Sequence, residues 1–152
     1  MKKFNKYVPL TNHDIDNIMQ ELGIKGYRGC FMRDTIPKMK LKESIIINLD
    51  DSKGNGTHWV SAFMKNDKLC YMDSYGLNYP NELRKVNPTK KIEYNTSHIQ
   101  ELETSSCGWF CIYFINEMYK GKEFYDIMFP FDLNHQSMNE KYIEKYFKKL
   151  GY

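Results

Sequence analysis

Residues 104–119 read TSSCGWFCIYFINEMY, and the fold turns on how this stretch is understood. Cys107, Phe110, Cys111, Phe114, Ile115 and Met118 recur at the three- and four-residue spacing of one helical face. Trp109, Ile112 and Tyr113 make the other faces apolar too, so the pattern predicts a helix over Cys107–Tyr119 that is buried almost all round. Ser105 or Ser106 is the expected N-cap, which places Cys107 in the first turn. There the unpaired backbone N–H groups and the positive end of the helix dipole favour thiolate over thiol. Gly108 removes a side chain that would crowd an approaching substrate backbone. Taken alone, Cys107 reads equally well as a small core residue, as Cys111 does one turn deeper. Its partners must decide.

Upstream lies a block of strands. Residues 44–49 (SIIINL) are short, β-branched and followed by turn residues, the pattern of a buried strand, and residues 50–57 (DDSKGNGT) form a loop. Residues 59–64 (WVSAFM) and 68–72 (KLCYM) flank Asn66-Asp67, which suits a hairpin turn. Residues 91–94 (KIEY) are a short strand, and a helical turn is expected at 82–85 after Pro80. Thr11 or Asn12 caps a first helix running to about Leu22, with Gly23 as its stop. Residues 26–37 (GYRGCFMRDTIP) have turn residues at both ends and read as an irregular surface segment, and residues 138–150 as an amphipathic helix. Helix, then strands, then helices is an α+β order rather than βαβ alternation. With 152 residues, no internal repeat and no linker, the chain reads as one domain spanning 1–152.

Composition narrows the function classes. Apolar residues at 41% and charged residues at 27% are those of an ordinary globular domain. A net charge of +3 is too small to mark a nucleic-acid-binding protein, although it permits weak, salt-sensitive contact with DNA. No apolar run is long enough to cross a bilayer, and Met1-Lys2-Lys3 is followed by polar residues rather than a signal core, so neither membrane insertion nor secretion is expected. Cys30, Cys70, Cys107 and Cys111 contain no CxxC pair, which argues against a zinc ribbon or a disulfide scaffold and for one reactive thiol in a reducing setting. No metal or cofactor is implied.

A thiol nucleophile needs a base. Among the histidines, His58 has the right framing, with the flexible 54–57 approach before it and a strand opening at Trp59. If Asn66 and Asp67 make the turn, Lys65 faces Lys68 and Val60 faces Asp73, which brings His58 and Asp73 to one edge of the sheet. Asp73 can then orient the imidazole as the third member of a triad, besides opening the turn Asp73-Ser74-Tyr75-Gly76. The backbone N–H of Cys107 or Gly108, and the side-chain amide of Gln100, are candidate donors to an oxyanion.

His58-Trp59, then Asp73-Ser74-Tyr75-Gly76, then Gln100 followed at seven residues by Cys107-Gly108-Trp109-Phe110 resembles adenain, the adenovirus maturation protease, and its virophage and Polinton-type relatives. The SUMO-specific proteases are more distant kin. The likeness covers the middle third of the chain, with an echo at Gly29-Cys30-Phe31. It implies a papain-like α+β fold in which the nucleophile's helix packs on a central mixed sheet. It further implies Cys107 as nucleophile, His58 as general base and acid, Asp73 as orienter, Gln100 as oxyanion donor, and Trp59 lining the groove beside the scissile bond. The implied activity is a viral endopeptidase, monomeric and acting in the virion and the infected cell, that cuts capsid or core protein precursors, often after glycine. The competing readings are a protease for ubiquitin-like modifiers using the same residues, and a capsid-associated DNA-binding protein in which Cys107 is merely core.

Overall fold

The computed structural model describes residues 2–152. Helix α1 (Asn12–Glu21) begins with a reciprocal cap: the Thr11 hydroxyl accepts from the Asp14 N–H at 3.1 Å, and the Asp14 carboxylate accepts from the Thr11 N–H at 3.0 Å. Five strands follow in sheet order β1 (Tyr27–Met32), β2 (Ser44–Asn48), β3 (Trp59–Met64), β4 (Lys68–Met72) and β5 (Lys91–Tyr94). The outer pairs are parallel and the inner ones antiparallel, so the sheet is mixed.

The β3–β4 hairpin has the expected register, with Ser61 opposite Met72, Met64 opposite Leu69, and the Lys65 N–H donating to Lys68 O at 2.9 Å. Because strand side chains alternate, Ile46, Phe63, Cys70 and Met72 face one core while Ile45, Ile47, Val60, Ala62, Leu69 and Tyr71 face another. The sheet is therefore covered on both sides.

Residues 26–37 are not irregular as expected. They form edge strand β1 and a 3-10 turn at Arg33–Thr35. A bulge between Tyr27 and Cys30, with Gly29 at φ +119°, breaks the alternation, and the side chains of this edge strand are mostly only half-buried. The period-two signal is lost for that reason.

Helix α3 (Cys107–Tyr119) has the predicted bounds and is buried from Cys107 through Met118. Trp109 meets Phe147 of helix α5 (Gln136–Lys149) at 4.7 Å between ring centroids, and Phe4 of the N-terminal segment at 5.0 Å. Trp109 and Phe147 are fully buried, Phe4 partly, and a fully buried side chain such as that of Phe147 contributes roughly 1.5–3 kcal/mol. Helix α2 (Asn81–Val86) and helix α4 (Phe124–Met128) complete the chain. Helix α4 has too few residues for a periodicity to show. Among the described residues no helix is long and apolar enough to cross a membrane.

The ends of α3 differ. At the C-terminus, Lys120 N–H donates to Asn116 O at 3.1 Å and Gly121, at φ +95°, donates to Met118 O at 3.0 Å. At the N-terminus Ser106 occupies the cap position but makes no capping bond; its ψ of 4° is not the extended geometry that a cap needs. Its hydroxyl instead donates to the buried Glu140 carboxylate at 2.7 Å, a charge-assisted bond that holds the side chain toward α5. The capping role expected of Ser105 or Ser106 is thus not filled. No hydrogen bond among the described residues engages the N–H of Cys107, Gly108 or Trp109.

Candidate active site

A cleft of about 730 Å³ opens where the start of α3 faces the loop before β3, with Leu10, Cys30, His58, Trp59, Tyr75 and Cys107 among its walls. His58 sits one residue ahead of β3, anchored to the end of β2 by the Leu49 N–H, which donates to His58 O at 3.0 Å. Asp73 follows the last residue of β4. The hairpin register brings both to the same sheet edge, and His58 Nε2 lies 2.7 Å from Asp73 Oδ1.

Asp73 is fully buried and held from several sides. Its N–H donates to Asn95 Oδ1 at 3.0 Å, Asn95 Nδ2 donates to its carbonyl at 2.6 Å, and Tyr75 N–H donates to Oδ1 at 2.8 Å. The turn behind it needs glycine. Gly76 has φ +71°, and a Cβ there would stand 2.6 Å from the Ser97 backbone. Tyr75 stacks on the His58 ring at 4.3 Å and 11°, which fixes the plane of the imidazole.

With Nε2 on Asp73, Nδ1 is the imidazole nitrogen left free, and the Cys107 sulfur is a neighbour that favours the charged ring. Burial works against the imidazolium, but the Asp73 carboxylate and the Cys107 sulfur outweigh it and push the His58 pKa up to about 9. Burial pushes the Cys30 and Cys70 thiols up to about 12, and Cys111 well above the ordinary thiol range. Of the four cysteines, Cys107 is the one whose sulfur acts on the His58 imidazole.

Of the other expected site residues, one lines the cleft and two do not. Trp59 does line the cleft, with its indole N–H donating to Leu10 O at 2.9 Å. Gly108 is buried, and the space its missing side chain leaves is taken by Leu10 of the same chain, whose Cδ1 would stand 3.1 Å from an added Cβ. Its smallness thus admits the N-terminal segment rather than a substrate. Gln100 does not reach the cleft. It is fully buried, accepting from Ser74 Oγ at 2.6 Å and giving its amide hydrogens to Thr104 O and Oγ1 at 3.2 and 3.1 Å. The segment before α3 folds into a hydrogen-bonded turn, which no spacing rule reveals.

Sequence reasoning missed Tyr75, although the quoted turn motif contains it, and Asn95, Leu10 and Glu140, which carry no local signal. Among the described residues no cluster of His, Cys, Asp and Glu is arranged to hold a metal ion.

The arrangement has a known counterpart in fold. The chain resembles the crystal structure of the ASFV pS273R protease, with a TM-score of 0.54 and 19% identity over 79% of this chain. The selenomethionine crystal of that protease gives a TM-score of 0.53 and 18% identity over 84% of this chain. The α+β architecture with its mixed five-stranded sheet is similar to the fold of this protease. This chain spans 61% and 64% of the two matched chains, just under two thirds of their length. No protein-family profile matches it, and no curated protein sequence does.

Proposed function

We propose that the chain is a cysteine endopeptidase of a virus or virus-like element, which cleaves capsid or core protein precursors during virion maturation. The observation that carries the enzymatic reading is His58, fixed by Asp73 on one nitrogen, standing beside Cys107 at the open start of a buried helix. The viral setting rests on the fold likeness and on the adenain-like motif order.

The chemistry follows from the geometry. Cys107 passes its proton to His58, and the sulfur attacks the scissile carbonyl carbon. The oxyanion forms in front of the free Cys107 N–H at the positive end of α3. Collapse breaks the C–N bond, the departing amine takes the proton from His58, and an acyl thioester remains. Water then attacks the thioester while His58 accepts its proton, the carboxylic acid leaves, and the thiol is restored. Asp73 stabilises the imidazolium in both halves. Gln100 has no direct part, because its amide hydrogens are held by Thr104.

The test is to incubate the purified protein and Cys107→Ala with candidate capsid precursors and to map new termini by mass spectrometry. Cleavage by the wild type and none by the variant is the expected result. Undiminished cleavage by Cys107→Ala would sink the assignment.

A further inference from the structure

The mechanism above leaves one buried charged group without a task. Glu140, in the first turns of α5, is 1% exposed and among the described residues has no cationic partner. Its carboxylate instead collects donors from the segment that leads into α3. Oε1 accepts from the Ser106 hydroxyl at 2.7 Å. Oε2 accepts from the Glu101 N–H at 2.9 Å and lies 3.2 Å from Thr104 Oγ1. Thr104 in turn holds Gln100, and Gln100 holds Ser74 next to Asp73. One carboxylate therefore ties together both flanks of the site, the approach to Cys107 and the turn beneath Asp73.

Such a group is costly. Burial lifts the Glu140 carboxyl above the usual glutamate value despite its donors. A buried carboxylate without a cation is a poor way to gain stability, since an apolar residue of the same size would pack there at less cost. What Glu140 supplies is direction. A serine at a helix start ordinarily turns its hydroxyl back onto the second or third N–H of the helix. Glu140 instead holds the Ser106 hydroxyl and, through the Glu101 N–H, the start of the same turn, which sets where the N–H groups of Cys107 and Gly108 point.

We propose that Glu140 is a positioning residue for acyl transfer at Cys107, holding the 101–106 turn so that the helix-start amides are aimed at the oxyanion. The inference rests on the cysteine protease reading, and the two can fail separately.

The experiment compares two reactions of the same thiol in the full chain. Iodoacetamide alkylates sulfur by displacement and needs no oxyanion donor. p-Nitrophenyl acetate acylates it through a tetrahedral oxyanion, releasing a burst of nitrophenolate. In Glu140→Gln one acceptor oxygen becomes a donor facing donors, and in Ser106→Ala the held hydroxyl is gone. Both variants should slow the acylation burst by at least about tenfold, the scale of losing an oxyanion contact, while Cys107 alkylation changes less than about twofold. Ser106→Thr, which keeps the hydroxyl, should restore the burst.

An unchanged burst in both variants, or equal slowing of both reactions, overturns the inference. If Glu140→Gln does not fold by circular dichroism, the Ser106→Ala and Ser106→Thr pair decides by the same criteria. A wild-type protein that gives no burst, with alkylation of Cys107 no faster than that of Cys30 and indifferent to His58→Ala, overturns the protease reading itself and the inference with it.

Discussion

The two ends of α3 are built in opposite ways. At the Tyr119 end the carbonyls are closed off by Lys120, Gly121 and Lys122 N–H groups, and the nearby Glu117 is neutralised by Lys122 at 2.6 Å, Lys120 at 3.1 Å and the Tyr146 hydroxyl at 2.9 Å. Burial alone would raise the Glu117 carboxyl, but these donors win and hold it below the usual glutamate value. At the Cys107 end the amides are uncapped, and the buried carboxylate there, Glu140, has hydroxyl and amide donors but no cation. One end is completed as a stable helix terminus. The other is left unsaturated, where a ligand can finish it.

That contrast can be broken most severely at the open end. Cys107→Ala should abolish acyl transfer, a loss of at least about 10⁴-fold, without lowering the melting temperature. The check is the nitrophenolate burst alongside a thermal melt, and a residual burst would show that another thiol does the work. Asp73→Asn comes next, with a fall of about 10³–10⁴-fold, because the imidazole loses the acceptor that orients it and stabilises its charge.

The pH profile tests the same pair more gently. His58 titrates near 9 when folded, above its ordinary 6.5. Its pairing therefore stabilises the fold fully below 6.5, and that stabilisation is lost as pH rises through about 9. Cleavage of a peptide substrate, followed by its new termini, should accordingly fall about tenfold per pH unit above that value, as the proton for the departing amine disappears. The melting-temperature gap between wild type and Asp73→Asn should narrow over the same window, and a gap that stays constant would mean His58 is not the group titrating.

The closed end should answer in stability alone. Glu117→Gln removes the charged acceptor for two lysines and a tyrosine and should cost about 1–3 kcal/mol in denaturant unfolding, with the burst unchanged. Smallest of all is Gly108→Ala. The added Cβ would meet the flexible Leu10 side chain at 3.1 Å, so a shift of the cleft wall costing about 1 kcal/mol, seen by thermal melt, is expected. A much larger loss would mean that Leu10 cannot give way.

How far the sequence revealed this contrast depended on whether a residue's role was local. Helix α3 declared its own bounds because its apolar residues repeat every turn, and the β3–β4 register followed from the turn at Asn66-Asp67, which placed His58 against Asp73. Gln100 and Gly108 had the right spacing from Cys107, yet their surroundings come from Thr104 and Leu10, contacts that spacing from Cys107 does not report. The Ser106–Glu140 bond joins residues 34 apart in the chain, and neither carries a mark of the other. Edge strand β1 was hidden by its own bulge.

The N-terminal segment has a consequence in time rather than space. Phe4 leans on Trp109, Lys6 O receives the Ser105 N–H, Leu10 sits on Gly108, and Trp59 holds the Leu10 carbonyl. Phe4 and Lys6 thus lack these partners until the α3 region, about a hundred residues later, has emerged; at about 5–20 residues per second that is a wait of several seconds or more. The cleft wall can close only over a finished helix. A nascent chain therefore carries its thiol before it carries a groove.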